Sequence, residues 1–335
     1  MKENKDRIVL DVAYQPQVRT NTDTRRLMLD VIIGLLPAVA VGVWRFGFDV
    51  LLLMAVSVAS AVFFEWGYRK LMKKDSRIGD LSAVVTGLLL ALVMPPQAPW
   101  WMAVIGNFFA IVVVKQLYGG IGKNFLNPAL AGRAFLMASY ALVMGSVVID
   151  GVSSATPLSY LYTGEALPAG MRLKDMFIGT IPGCVGEVSS LALLIGFVWL
   201  LLRRVISWRI PVSFIGTVAV LCLVFGHAGY GNVEWMLYNI LSGGLMLGAI
   251  FMATDYATSP VTLNGQLLYG FGCGALTVLI RYFGGYPEGV TYAILIMNLC
   301  TWAIDKGFRR HQFGVTKEDI KAEKAAKKAA KEAAK

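Results

Sequence analysis

The run Ser153-Ser154-Ala155-Thr156-Pro157 gathers small and hydroxyl-bearing residues between two long apolar halves of the chain. Proline disfavours the helical region for the residue before it, so Thr156 is expected to be extended, its hydroxyl turned away from the local backbone and open to modification. The competing reading makes Thr156 an N-cap, with Pro157 at the first helical position of Leu158-Ser159-Tyr160-Leu161. A second group is Asn127-Pro128-Ala129-Leu130-Ala131-Gly132-Arg133, which places a guanidinium inside an apolar run. Such an arginine faces an interior or a pocket, or its long stem lets the head snorkel to the surface. Asp255, with Thr254, Thr258 and Ser259 beside it, offers oxygen ligands of the kind that hard cations take. The same carboxylate also serves as a helix end in contact with water or the following loop. Asp80, with Ser82 and Thr86 beyond it, has the inverse placement in the other half of the chain and is open to the plain N-cap reading.

Other chemistries find no support. Cys184, Cys222, Cys273 and Cys300 are dispersed one to an apolar segment, with no Cys-x-x-Cys pair. No zinc or iron–sulfur centre is therefore argued from them, and packing is their simplest use. The two histidines are His227 and His311. Neither completes a Ser-His-Asp arrangement, and Gly119-Gly120-Ile121-Gly122 lacks the preceding strand of a phosphate-binding loop. No catalytic residue and no metal ligand is assigned.

The elements that must carry these residues are membrane helices. Of 335 residues, 56% are hydrophobic and 16% charged, with a mean hydropathy of +0.62, a composition beyond what a soluble core requires. A span takes about 20 apolar residues. On that criterion about ten transmembrane helices are expected, near 27–45, 49–66, 80–95, 99–116, 125–145, 184–203, 210–226, 236–254, 266–283 and 288–305. The third runs into Met94-Pro95-Pro96, and the eighth contains Ser242-Gly243-Gly244 and ends in Thr254-Asp255-Tyr256-Ala257-Thr258-Ser259-Pro260, so both read as interrupted helices. The polar first twenty-six residues carry no cleavable signal, which leaves the first span retained.

Lysine and arginine orient the chain, because cytoplasmic loops keep an excess of them. The N-terminal segment holds six, the 67–79 loop holds Arg69, Lys70, Lys73, Lys74 and Arg77, the 203–209 turn holds Arg203, Arg204 and Arg209, and the segment from Lys306 holds ten. The opposite side has only Arg45, Arg172, Lys174 and Arg281. Both termini are thus expected in the cytoplasm and the 146–183 connection outside it, in a multi-pass protein of a prokaryotic cytoplasmic membrane. This gives an all-α polytopic protein of two inverted five-helix repeats. Its parts are a cytoplasmic segment 1–26, repeats 27–145 and 184–310, the extracytoplasmic loop 146–183 and a basic tail 311–335. Thr86-Gly87-Leu88-Leu89 and Gly243-Gly244-Leu245-Met246 occupy corresponding places in the two halves, and paired broken helices bring unpaired backbone groups toward one central site. The formal net charge of +10 follows this sorting; the Lys/Glu/Ala tail suits a solvated segment near anionic lipid, and nucleic-acid binding is not indicated.

Three separated stretches resemble one family, which includes RnfD of the Rnf complexes and NqrB of the sodium-translocating NADH:quinone reductase. They are Ser153-Ser154-Ala155-Thr156, the Gly-Lys-Asn, Asn-Pro-Ala, Gly-Arg series from Gly122 to Arg133, and Ala253-Thr254-Asp255-Tyr256-Ala257-Thr258-Ser259-Pro260. The resemblance covers residues 1–310. It implies FMN esterified through its phosphate to the Thr156 hydroxyl, with Ser153, Ser154 and Ala155 forming the attachment motif; Ser154 stands where the family often has glycine. It also implies a non-covalent flavin, riboflavin, within the bundle, and Asn127, Arg133 and Asp255 are the candidate residues toward it. The implied activity is electron transfer in an ion-translocating ferredoxin:NAD oxidoreductase that moves Na+ or H+. The chain would lack a complete active site and any NAD site of its own. The implied partners are the Rnf A, B, C, E and G subunits, the lipid bilayer, and a flavin transferase for maturation. The alternative on the same scaffold is an inverted-repeat solute transporter or channel without flavin, in which Thr156 is only a cap.

Overall fold

The computed structural model describes residues 23–75, 78–145, 147–149, 152–154, 156–163, 172–226, 231–284 and 288–308. The polar segment 1–22, the tail from 309, Ala155, His227 and His311 lie outside the described residues. The helices are α1 (Thr24–Phe46), α2 (Phe48–Leu71), α3 (Ser82–Leu92), α4 (Trp100–Gln116), α5 (Pro128–Ser139) and a short α6 (Ala141–Gly145). After a hairpin come α7 (Pro157–Thr163), α8 (Leu173–Ile178), α9 (Ser190–Leu202), α10 (Arg209–Phe225), α11 (Asn232–Leu241), α12 (Leu245–Met252), α13 (Leu263–Phe283) and α14 (Val290–Gly307). The hairpin pairs β1 (Val147–Ile149) with β2 (Val152–Ser154) in antiparallel register, Val147 opposite Ser154. The hairpin is short, three residues to a strand, and the described fold is otherwise helical.

Among the described residues α1, α2 and α13 are long and apolar enough to cross a membrane. The α11–α12 pair, bent by 64° at its break, makes a fourth, and α3, α4, α9 and α10 are shorter apolar helices. Large side chains such as Phe48, Leu142, Val224, Phe283 and Trp302 stand exposed on the outside, as lipid-facing positions do. The chain is a multi-pass membrane protein.

Small residues set the helix spacing. Gly34 on α1 faces Gly196 on α9 so closely that a Cβ at Gly196 would lie 2.1 Å from the Gly34 carbonyl oxygen. On α13, Gly270 and Gly274 rest against the Ile210 and Phe214 carbonyls of α10 in the same manner. Where lipid supplies no hydrophobic drive between helices, such close approach and interhelical hydrogen bonds hold the bundle. A polar clasp does this for α2, α3 and α4: the Ser57 hydroxyl donates to the Gly87 carbonyl at 2.6 Å, and Asn107 Nδ2 donates to Ser57 Oγ at 2.8 Å and Ser60 Oγ at 3.1 Å.

Several expected spans are trimmed, each by a local cap. Asn127 accepts from the Ala129 and Leu130 N–H groups and Pro128 takes the first position, so α5 starts at residue 128 and not 125. The Ser189 hydroxyl oxygen accepts from Ala192 N–H at 3.2 Å, which starts α9 at residue 190 and leaves Cys184 in a turn, not in a helix. That turn has a task. Leu92 and Met94 carbonyls, freed where α3 breaks before Pro95, accept from Gly186 N–H (2.7 Å) and Val185 N–H (3.1 Å). Where α12 ends, the Met252 carbonyl accepts from Asn127 Nδ2 at 3.0 Å. Each interrupted helix is thus completed by backbone or side-chain donors from the other half of the chain, as non-helical backbone at membrane depth requires. Asp80 is a cap, its Oδ1 accepting from Ser82 N–H and Oγ at 2.9 and 2.6 Å.

Candidate functional site

Thr156 follows β2 closely in the chain and precedes α7, so the hairpin and the helix hold it from both sides. It is half-buried. Its Oγ1 accepts a long 3.3 Å bond from Ser159 N–H, while its carbonyl accepts from Ser159 and Tyr160 N–H groups. The hydroxyl therefore does cap α7 and is not turned wholly away from the backbone, as the local rule for a residue before proline suggested. Acceptance uses a lone pair only, so an ester at this oxygen keeps the same bond. Leu158, two residues on, seats α7 on the break between α11 and α12: a Cβ at Gly243 (φ +68°) would lie 2.8 Å from Leu158 Cδ2. Of Ser153 and Ser154 only the backbone is described, in β2.

A cavity of about 80 Å³ lies where α1, α3, α4, α5 and α9 meet the segment after α12. Met28, Val31, Val85, Leu89, Leu200 and Phe251 make its apolar walls, and Ser82, Thr86, Lys115, Asn124, Asn127 and Asp255 its polar edge. Asn127 is fixed on both sides. Besides its bond to Met252, its N–H reaches the Asn298 side-chain oxygen at 3.1 Å once that amide is oriented to donate to the Tyr269 hydroxyl. Asp255 Oδ2 accepts from the Thr258 hydroxyl at 3.2 Å, and burial pushes its carboxyl above the ordinary value. Lys115 Nζ donates to Glu65 Oε2 (2.9 Å) and Ser82 Oγ (2.6 Å), and Gln116 Nε2 donates to Glu65 Oε1 (2.9 Å). The edge therefore offers amide, ammonium and carboxylate groups beside flat apolar walls.

Arg133 stands nearly two helical turns farther along α5, about 9 Å from Asn127 at 1.5 Å per residue. It does not snorkel. Only 4% exposed, its guanidinium pairs with Glu187 Oε1 at 3.1 Å and with Glu288 Oε2, and NH2 approaches Cys184 Sγ at 3.7 Å. Cys184, Glu187 and Glu288 lie within 4.8 Å of one another, a spacing that could hold a metal ion. The Arg133 guanidinium already contacts all three, so the cluster has its cation. Arg281 lies close by, its NH1 donating to the Asn239 carbonyl at 2.6 Å and its NH2 within 3.5 Å of the Ser242 carbonyl at the helix break. Asn127 and Asp255 thus share one cavity, while Arg133 and Thr156 belong elsewhere.

Glu65, Lys115, Glu187 and Glu288 escaped the sequence reading. A signal existed for Glu187, a lone acid in the apolar stretch from Ile181 to Leu202, and for Glu288 just before the last apolar run. An acid there needs a partner, and the unmatched Arg133 was the available one.

Residues 11–314 match the profile of the NQR2, RnfD, RnfE family. The chain is 47% identical over 325 residues to the D subunit of the Na(+)-translocating ferredoxin:NAD(+) oxidoreductase complex of Acetobacterium woodii, covering 95% of this chain and 98% of that one. It is 38% identical to the D subunit of the proton-translocating ferredoxin:NAD(+) oxidoreductase complex of Clostridium ljungdahlii, covering 92% of this chain and 97% of the relative. With the D subunit of the ion-translocating oxidoreductase complex of Stutzerimonas stutzeri the identity is 37%, over 89% of this chain and 93% of that one. A match over nearly the whole length, running through the segment that carries Thr156, the buried arginine and both helix breaks, makes this chain a member of the NQR2, RnfD, RnfE family.

Proposed function

We propose that the chain is the D subunit of an Rnf-type ion-translocating ferredoxin:NAD oxidoreductase, a membrane electron-transfer protein bearing FMN as a phosphoester on Thr156. The full-length relatedness to subunits of that name carries this reading. The site supports it: a half-buried threonine oxygen that accepts from Ser159 N–H, between a hairpin and a helix docked on Gly243. FMN held on that oxygen would supply the electron-carrying group. The chain's own contribution is to fix the attachment point, which turns a diffusional encounter between electron carriers into a positioned one.

The cavity edged by Asn127 and Asp255 suits a second, non-covalent flavin, riboflavin. Its apolar walls match a ring face, and Asn124, Asn127 and Lys115 match the carbonyl and imide edge of the ring. In this reading the bundle comprises ten spans in two inverted repeats, with both termini in the cytoplasm and the Thr156 loop outside. The A, B, C, E and G subunits supply the remaining redox centres, and a flavin transferase installs the FMN. The relatives' names include both Na+ and H+, so the coupled ion is one of these two.

The test is mass analysis of protein from its native host. The peptide containing residues 153–156 should carry the mass of FMN less water, with flavin fluorescence surviving in a denaturing gel. An unmodified peptide would leave the transporter reading as the better one. Orientation is checked separately by cysteines placed in the 67–79 and 146–183 loops. An impermeant reagent on intact spheroplasts should label only the second, and labelling of the first alone would invert the topology.

A further inference from the structure

A second cavity, about 410 Å³, lies apart from the one beside Asp255. It lies where α1 ends and α2 begins, closed on the other side by the Pro96-Gln97-Ala98-Pro99 connection and Trp100. Gly47 (φ +83°) makes the turn there and sets Arg45 in the last turn of α1 and Asp49 in the first turn of α2. Both side chains line the cavity, yet no ion pair joins them, and neither has a hydrogen-bond partner among the described residues. Arg45 Nε is moreover buried without a partner. Phe46, Leu52 and Trp100 line the cavity, and Trp44, Phe48 and Trp101 stand exposed on the adjacent helix ends, the level at which aromatic side chains meet a membrane–water interface.

One unpaired cation and one unpaired anion, set in an aromatic rim over an apolar floor at Leu53, are the complement of a zwitterion with two tails. We propose that this groove binds one aminophospholipid, phosphatidylethanolamine. Its phosphate oxygens accept charge-assisted hydrogen bonds from the Arg45 guanidinium, its primary ammonium donates to the Asp49 carboxylate, and its acyl chains run down the exposed flank of α2 past Leu52. Phosphatidylglycerol brings a second hydroxyl headgroup and a net negative charge toward Asp49 and gives that carboxylate no cation. The quaternary nitrogen of phosphatidylcholine has no N–H to donate. The rim favours lipid over a protein partner because its large apolar side chains sit at one interfacial level and the only charges lining the groove are those a single headgroup would neutralise.

The experiment uses the full-length chain purified in detergent, stripped of lipid, and offered dioleoyl phosphatidylethanolamine, phosphatidylglycerol and phosphatidylcholine in equal amounts before native mass spectrometry. The wild type is expected to retain one phosphatidylethanolamine in preference to the others. Arg45→Gln should weaken retention roughly tenfold, as loss of one charge-assisted contact implies, with no change in thermal midpoint. Asp49→Asn should shift the preference from phosphatidylethanolamine toward phosphatidylglycerol. Equal retention of all three lipids, undiminished phosphatidylethanolamine on Arg45→Gln, or cross-linking of a cysteine at position 100 to a neighbouring protein in the assembled complex would each overturn the assignment.

Discussion

Thr156→Ala is expected to remove the covalent flavin completely: no fluorescent band in a denaturing gel, and an unshifted 153–156 peptide by mass. The substitution deletes the only oxygen that the proposed ester can use while costing the fold little. Losing an N-cap side chain typically costs about 1 kcal/mol, and the 3.3 Å bond from Ser159 N–H is at the weak end of that range. The Leu158 contact at Gly243, which seats α7, is untouched. Helix insertion and thermal midpoint should therefore stay near wild type, so the missing band reports chemistry rather than misfolding. Thr156→Ser supplies the control, since it keeps both hydroxyl and cap. Ser153 and Ser154 lie three and two residues away and are the nearest substitutes. A residual band in Thr156→Ala with its mass on either serine would move the attachment point, and an undiminished band on a peptide outside residues 153–156 would end the threonine proposal.

That the chain is a multi-pass bundle of apolar helices was legible because lipid imposes one rule on every span: a long apolar run with all backbone groups satisfied internally. Boundaries shifted where a single polar side chain decides them, as at Asn127 and Ser189. The two breaks were visible as proline and glycine runs, yet their partners were not. Nothing local in Gly186 announces that its N–H will close the Leu92 carbonyl, since that bond joins the two halves of the chain. The same holds at the candidate site. Arg133 was conspicuous because a guanidinium in an apolar run has to be answered; Glu187 and Glu288 each stand as acids at an apolar run, but at 54 and 155 residues away no spacing ties them to it. The hairpin before Thr156 is too short for a two-residue period to register. Its lesson is that Thr156 stands between two regular elements, β2 and α7, among the described residues.

Arg133→Leu is expected to destabilise the protein more than any other single change named here, and to lower both assembled complex and flavin content. Removing one partner from a buried ion pair typically costs about 3–5 kcal/mol, because the remaining charge is left without compensation. Here two carboxylates, Glu187 and Glu288, would be left behind. Glu187 belongs to the turn that completes the α3 break, and its Oε1 lies 2.6 Å from where a Cβ of Gly244 would be, at the other break. Loss of the guanidinium should therefore loosen α3 and the α11–α12 junction together, and with the latter the seat of α7 and Thr156. Arg133→Lys should recover only part of the loss, since an ammonium is a point charge and cannot fork between two carboxylates as a guanidinium does. The triple variant Arg133→Leu, Glu187→Gln, Glu288→Gln separates the two roles, because neutralising both acids removes the uncompensated charge without restoring the cation. Recovery of thermal midpoint, flavin content and electron transfer in the triple variant would make Arg133 a structural tie alone. Recovery of the midpoint without electron transfer would leave the cation itself acting on a bound flavin. Wild-type behaviour of Arg133→Leu in all three measurements would mean that the ion cluster carries neither.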